Sequence, residues 1–491
     1  MKLKGFLNLI AAVAVCAVLE VSAFATDYIF KIDSDAAMLC DEEASLMTEE
    51  CFDEDKAIAK NHGIFKTDDM AVIEKYMEMG LIEYYEEDAP AYLFDMPNTS
   101  EYMTIDSGTS SSTVPLGKSY NLLNVQSLWS LGFTGKGVVV GVIDSGVYPN
   151  ADIAGNILSG ENVSPDVDTD SSKRYITLDG HGHGTCVSGI IAANGDHYRG
   201  IAFEAKIVPL KAFTDSGVGN VSNLVKGIYR AIDVYGCDVI NMSCGAAKDS
   251  SKSLLAAVNY ASSKGVQIIA AAGNNGSQSN TLDADYYPAS YDATISVANI
   301  TADGMHWSSS QENAGVDISA QGRMVYCLKN SDTGYRYNSG TSFAAPMVTG
   351  VAALILGYKP DTTPAEMKSL ICDTATDLGI TGWDMSYGNG KVNCAGIAQR
   401  LLDGTLYRSN IVEYKGTYNY AIRNGLSTPY SAFLAFAKYS GNRMVGIETR
   451  SISLESGKST IMSTDKGSSI IKLFELNKAS LGVLSGITIG K

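Results

Sequence analysis

The chain has 491 residues, too many for one small core, and its 19% charged and 45% hydrophobic residues are those of an ordinary folded protein. The formal net charge is −17, and nothing in the sequence supports nucleic-acid binding, which needs a basic face. The acidity is local, because residues 27–95 hold 20 Asp and Glu against 5 Lys, so it says little about what the remainder acts on.

Lys2 and Lys4 precede an apolar stretch from Phe6 to Val21, and Ala23-Phe24-Ala25 has the form of a cleavage site. Residues 1–25 read as a secretory signal peptide: the apolar part is short for a membrane span and lacks a stop-transfer flank. No later segment reads as a span, and a secreted, monomeric protein is expected. The acidic segment follows. YIFKI (28–32) is strand-like, DMAVIEKYMEMG (69–80) puts Val72, Ile73, Tyr76, Met77 and Met79 largely on one helical side, and LIEYYEEDAPAYLF (81–94) is extended again. Together they predict a small α+β unit. Residues 96–117, rich in Ser, Thr, Gly and Pro, read as an exposed linker, so 26–112 forms the unit with its linker.

Over 113–403 the pattern changes. Apolar runs bounded by glycines, GVVVGVID (137–144), KIVPLKAF (206–213), DVINMSCG (238–245) and VQIIAAAGNNG (266–276), alternate with helical stretches. Such runs are what strands buried on both faces look like. They predict an α/β fold with a mainly parallel sheet, helices on both faces, and a site built by loops at the carboxyl ends of the strands. In 404–491 the helical signal disappears. Two strand-like runs flank Ser440-Gly441-Asn442, and the segment reads as a small all-β, sandwich-like module, similar to those appended to secreted bacterial enzymes.

Three strand or helix ends carry catalytic types. GVIDSGV ends a buried run with Asp144, GHGHGTCVSG puts His183 before a small-residue helix, and NSGTSFAAPMVTG puts Ser342 at the head of another. A serine hydroxyl needs a neutral imidazole to take its proton, and a buried carboxylate to orient that imidazole and stabilise its charged form. Asn274, in AAAGNNG, is a candidate oxyanion donor, joined by the backbone N–H of Ser342 at a helix start. Alone, Asp144 is a turn former, His183 a helix-start residue and Asn274 part of a turn. Their order, with four separate signatures, is far more specific.

These five blocks, GVIDSGV, GHGHGTCVSG, DVINMSCG, AAAGNNG and NSGTSFAAPMVTG, together resemble the sequence blocks of the subtilisin-like serine proteases. The resemblance implies Asp144 as orienting acid, His183 as general base, Ser342 as nucleophile and Asn274 as oxyanion donor, working through an acyl-enzyme. It selects His183 over His181, because Gly-Thr follows it, and Ser342 over Ser339, because Gly-Thr precedes it. It assigns Ser243, Cys244, Gly245 and Ala271, Ala272, Gly273 to segments that pair with the substrate backbone. Tyr286, with Tyr287, Asp283 and Asp285 nearby, is expected close to the pocket for the residue before the cut. Aromatic walls suit broad or apolar preference, and an inward carboxylate would suit a basic one.

The resemblance also makes the acidic unit an inhibitor propeptide of a zymogen, cut between about Asp95 and Pro115; the alternative is a retained surface-binding domain. Substrates would be proteins or peptides, with no cofactor required. Asp152, in YPNADI, matches an acidic position that some members use for calcium, but NGDHYRG (194–200) is shorter than their calcium loop, so weak or absent calcium dependence is expected. The other function classes are a binding protein that kept only the fold, opposed by the survival of all four catalytic positions, and an acid-acting relative with Glu and Asp partners, opposed by His183. Nine cysteines show no C-x-x-C spacing, which argues against zinc or redox sites, and leaves bridges and buried thiols both open. A free thiol at Cys186, just after His183, would make the enzyme sensitive to bulky mercurials.

Overall fold

The buried runs of Val, Ile and Ala pair into one seven-stranded sheet in the order Ile318–Gln321, Thr294–Ile300, Gln267–Ala271, Val239–Met242, Val139–Asp144, Lys206–Lys211 and Glu161–Asn162. Every pairing is parallel. All seven residues of Thr294–Ile300 are buried, as expected of a strand covered on both faces rather than one. The computed structural model describes residues 26–33, 57–94, 104–105, 120, 122–247, 251–276, 284–408, 412–414, 417–440, 443–465, 470–477 and 483–489. The signal segment, Cys16, Cys40, Cys51, Asp283, Gly441, Asn442 and most of the linker lie outside them.

Contacts divide the chain into one unit of residues 1–89 with 251–253 and another of 90–250 with 254–491. The first holds the antiparallel strands Ala57–Ala59, Ile64–Thr67, Tyr28–Ile32 and Ile82–Glu87, in that order, and the helix Met70–Glu78. Asp69 caps the helix, accepting from the Ala71 N–H at 2.9 Å. Ile73 and Tyr76 join Phe30, Ile32 and Phe65 in the core. The apolar stripe is narrower than the sequence suggests: among the described residues Met77 and Met79 are exposed, while Ile73 and Tyr76 face the core.

In the second unit the helix Thr341–Tyr358 is the central core element, with 16 of its 18 residues buried. By length and composition it is apolar enough to cross a bilayer, but its apolar surface lies inside the protein. Pro346 sits within it and has no N–H to give the Ser342 carbonyl. The Ser243 hydroxyl donates to that carbonyl instead, at 2.9 Å. After the helix Cys394–Leu402 the described elements are all β-strands. One sheet pairs Leu406–Arg408, Val412–Tyr414 and Ser459–Asp465 with Thr417–Asn424. The other runs Arg443–Leu454, Tyr430–Ser440, Ile470–Asn477, Val483–Ile489, and Tyr420, Ile422, Leu434 and Phe436 share one core. Tyr407 ties this part back, donating its hydroxyl to the Leu131 carbonyl at 2.6 Å.

Candidate active site

Asp144 ends the strand Val139–Asp144, and His183 is the first residue of the helix His183–Ala192. Both are fully buried. His183 Nδ1 lies 2.8 and 2.9 Å from the two Asp144 oxygens. An imidazole facing a carboxylate carries its neutral-form proton on that nitrogen, which leaves Nε2 as the basic one. The Ser145 N–H donates to Asp144 Oδ1 at 2.7 Å, fixing the carboxylate plane.

Ser342 is the second residue of the core helix, in the first turn, where backbone N–H groups have no preceding carbonyl to bond. Gly340 starts that helix with φ +149. A Cβ there would lie 2.8 Å from Asn274 Nδ2 and 3.0 Å from the Phe94 oxygen, so glycine keeps this corner open. Asn274 follows the strand Gln267–Ala271. Its Oδ1 accepts from the Thr341 N–H and the Thr341 hydroxyl, both at 2.9 Å, which turns Nδ2 toward the cleft. Ser339 is held apart, accepting from the Met324 N–H at 3.0 Å.

The second unit also contains Pro90–Leu93, and this strand lies in the site. It is the middle of three antiparallel strands, Leu93 opposite Cys244 and Tyr92 opposite Gly245 on one side, Ala91 opposite Gly219 on the other. The next residue, Phe94, donates its N–H to the Ser243 carbonyl at 3.4 Å. Its own carbonyl accepts from Asn274 Nδ2 and, at 2.9 Å, from the Ser342 hydroxyl. The Phe94 ring meets Tyr286 edge-on, with centroids 5.0 Å apart. A Cβ on Gly245 would come within 3.0 Å of Phe94 Cζ, so the pocket is open to an aromatic ring because that position is glycine.

Of the two segments expected to pair with a bound chain, Ser243–Gly245 does so. Ala271 instead pairs with Val297 inside the main sheet, and Ala272 and Gly273 donate to the Val297 carbonyl and the Thr341 hydroxyl. The second pairing edge is Gly219–Asn220, a two-residue strand with no signature of its own. Asp285 is exposed and accepts from the Ser290 hydroxyl at 3.3 Å. His181 is half-buried beside Gly217, whose added Cβ would lie 3.4 Å from His181 Nε2 and 3.8 Å from the Leu93 side chain.

Cys186 is not free. It forms a disulfide with Cys327, 141 positions away, because the strand Val325–Leu328 packs against the His183 helix. The expectation of a mercurial-sensitive thiol beside His183 is corrected accordingly. Cys237, Cys244 and Cys394 are buried free thiols and Cys372 is half-buried. Asp152 accepts from the Tyr335 hydroxyl at 2.6 Å, and a Cβ on Gly195 would fall 1.6 Å from its Oδ1. Among the described residues no group of three or more His, Cys, Asp or Glu is arranged to hold a metal.

The family model for the subtilase family of S8 peptidases matches residues 135–390. Subtilisin DY of Bacillus licheniformis is 35% identical over 296 residues, which cover 58% of this chain and 99% of the relative. M-protease of Shouchella clausii (strain KSM-K16) is 33% identical over 360 residues, 70% of this chain and 88% of that protein. A solved protease structure from Pseudoalteromonas arctica PAMC 21717 matches with a TM-score of 0.51 and 31% identity, over 57% of this chain and 94% of its own. The chain belongs to the subtilase family and is a subtilisin-like serine peptidase.

Proposed function

We propose that the protein is a secreted serine endopeptidase made as a zymogen, which cuts its own chain between Phe94 and Asp95 and then cuts substrates after aromatic or other large apolar residues. The observation that carries this reading is the Phe94 carbonyl, which meets the Ser342 hydroxyl and the Asn274 amide together. A carbonyl that touches both the nucleophile and the oxyanion donor is placed as the carbonyl of a scissile bond would be, although the Ser342 hydroxyl there also donates to the Ser243 carbonyl at 3.0 Å and has to turn to His183 before it attacks.

In this reading His183 Nε2 takes the Ser342 proton as Oγ attacks the Phe94 carbonyl carbon, and Asp144 stabilises the imidazolium. Asn274 Nδ2 and the Ser342 N–H carry the negative oxygen. His183 then gives the proton to the Asp95 nitrogen, and the carbon–nitrogen bond breaks. Water, activated by the same imidazole, releases Phe94 from Ser342 as a carboxylate. The cut lies at the upstream edge of the 95–115 interval expected from the linker. Residues up to Phe94 would remain as an inhibitor until they leave or are degraded.

Preference follows from how this tail is buried. Phe94 and Ala91 are buried, Leu93 is half-buried and Tyr92 is 49% exposed. A buried phenylalanine side chain contributes about 1.5–3 kcal/mol, enough for roughly 10- to 100-fold selection at the position before the cut. Ala91 argues for a small residue three positions further upstream. The exposed Asp285 speaks against basic selection. Secretion rests on Lys2, Lys4, the apolar stretch and Ala23-Phe24-Ala25. The protein is proposed to act as a monomer and to need no calcium at Asp152. A fluorophosphonate should label the purified protein at Ser342, and peptide amides with Phe before the scissile bond should be cut faster than those with Lys there. Labelling that persists in Ser342→Ala would sink the assignment.

A further inference from the structure

Asp179 is a fully buried carboxylate, 1% exposed, that touches no part of the bound tail among the contacts described. Its four short contacts all lead to the catalytic pair. Oδ1 accepts from the Ser145 hydroxyl at 2.9 Å and from the Gly182 N–H at 2.7 Å. Oδ2 accepts from the Thr185 N–H at 2.9 Å and the Thr185 hydroxyl at 2.6 Å. Ser145 follows Asp144 in the chain, while Gly182 and Thr185 bracket His183. We propose that Asp179 is a positioning residue for the reaction, acting on Asp144 through the Ser145 hydroxyl.

One proton sets the balance between the two carboxylates. The Ser145 hydroxyl has a single hydrogen and two carboxylates within reach, Asp179 at 2.9 Å and Asp144 Oδ1 at 3.2 Å. The same hydroxyl accepts from the Gly184 N–H at 3.0 Å, which limits how far it can turn. Given to Asp179, the proton leaves Asp144 Oδ1 to the Ser145 N–H and His183. Given to Asp144, it would compete with His183 for that oxygen and weaken the grip that orients the imidazole. Packing is tight enough for this to matter: a Cβ on Gly184 would lie 2.2 Å from the Gly146 carbonyl and 3.0 Å from Asp144 Oδ1. Asp179 also caps the His183 helix, and a cap alone would affect stability rather than turnover.

The proposal rests on the reading of Asp144, His183 and Ser342 as catalytic, and its test separates the two. Active sites of the wild type, Asp179→Asn, Ser145→Ala and the double variant are titrated with a fluorophosphonate, and kcat and KM are measured per titrated site on a peptide with Phe joined to a chromogenic amine leaving group. A wild type that titrates no site contradicts the catalytic reading itself. With a titratable wild type, Asp179→Asn should lower kcat by about 10- to 100-fold, the usual scale for outer partners of active groups, with KM within about twofold. In the Ser145→Ala background there is no hydroxyl to redirect, so the same substitution should cost less than about threefold. An unchanged kcat, an effect confined to KM, or an equal loss in both backgrounds would overturn the proposal. If Asp179→Asn gives no titratable enzyme, the double variant decides: recovery of titratable sites supports the proposal, and their absence contradicts it.

Discussion

The carbonyl oxygen of Phe94 lies 2.9 Å from the hydroxyl of Ser342, although 248 positions separate them in the chain. Among the described residues it is held by the edges Ser243–Gly245 and Gly219–Asn220, the Asn274 amide and the pocket beside Tyr286. Under the proposed function, this tail occupies the place of a substrate.

Asn274 offers its Nδ2 to the Phe94 oxygen because Thr341 occupies its Oδ1. Asn274→Leu keeps the size and removes the donor. It should lower kcat by about 100- to 1000-fold with little change in KM, a magnitude known from the matching donor in a subtilisin. Steady-state kinetics per titrated site checks this. A loss below about tenfold would mean that the amide does not meet the developing charge.

Gly245 sets how large a ring the pocket accepts. Gly245→Ala adds a carbon 3.0 Å from Phe94 Cζ and 2.6 Å from the Tyr287 carbonyl. The ratio of kcat/KM for Phe over Ala at the position before the cut should fall by about 10-fold or more, since one misfitted methyl in a tight pocket costs roughly 1–3 kcal/mol. An unchanged ratio would place the specificity elsewhere.

Tyr335 occupies the Asp152 carboxylate, and burial, followed by this contact, pushes the phenol well above its ordinary range. Excess chelator should leave the melting temperature within about one degree. Tyr335→Phe leaves a buried acceptor with one donor fewer and should cost about 1–3 kcal/mol. A large drop in melting temperature with chelator would instead argue for an ion at Asp152.

Burial pushes the thiols of Cys237 and Cys372 up to about 12, aided by Asp238 and Asp317 respectively. It raises those of Cys244 and Cys394 as well. At pH 8 only about one thiol in 10,000 would be ionised at a pKa near 12, and the thiolate is the reactive form. Iodoacetamide or a bulky mercurial should therefore leave the matured enzyme active, and mass spectrometry should find these four cysteines unmodified until urea is added. Replacing both Cys186 and Cys327 by Ser should cost about 2–5 kcal/mol, because their bridge closes a long loop. Rapid loss of activity with the mercurial would mean that Cys186 is a free thiol.

The parallel sheet and the places of Asp144, His183 and Ser342 at element ends were readable because each carries its own local pattern: a buried strand ending in Asp144, a glycine-rich start before His183, a small-residue helix behind Ser342. Contacts without such a pattern were not. Gly219–Asn220 is a pairing edge only two residues long. Asp179 stands four residues before His183 in no motif, and its role depends on a hydroxyl 34 positions away. The Cys186–Cys327 bridge joins a helix and a strand that only the fold brings together. Met77 and Met79 fit the helical period yet are exposed, because period alone does not say how wide a face the partner sheet covers.

The N-terminus of the matured protein tests the central claim most directly. Wild type and Ser342→Ala are expressed as full-length chains, purified in parallel, and their intact masses and N-terminal residues determined over time. The wild type should yield a chain beginning at Asp95, with the released piece ending at Phe94, while Ser342→Ala keeps the Phe94–Asp95 bond intact. Maturation of the alanine variant at the same rate, or a first cut at another bond, would contradict the account.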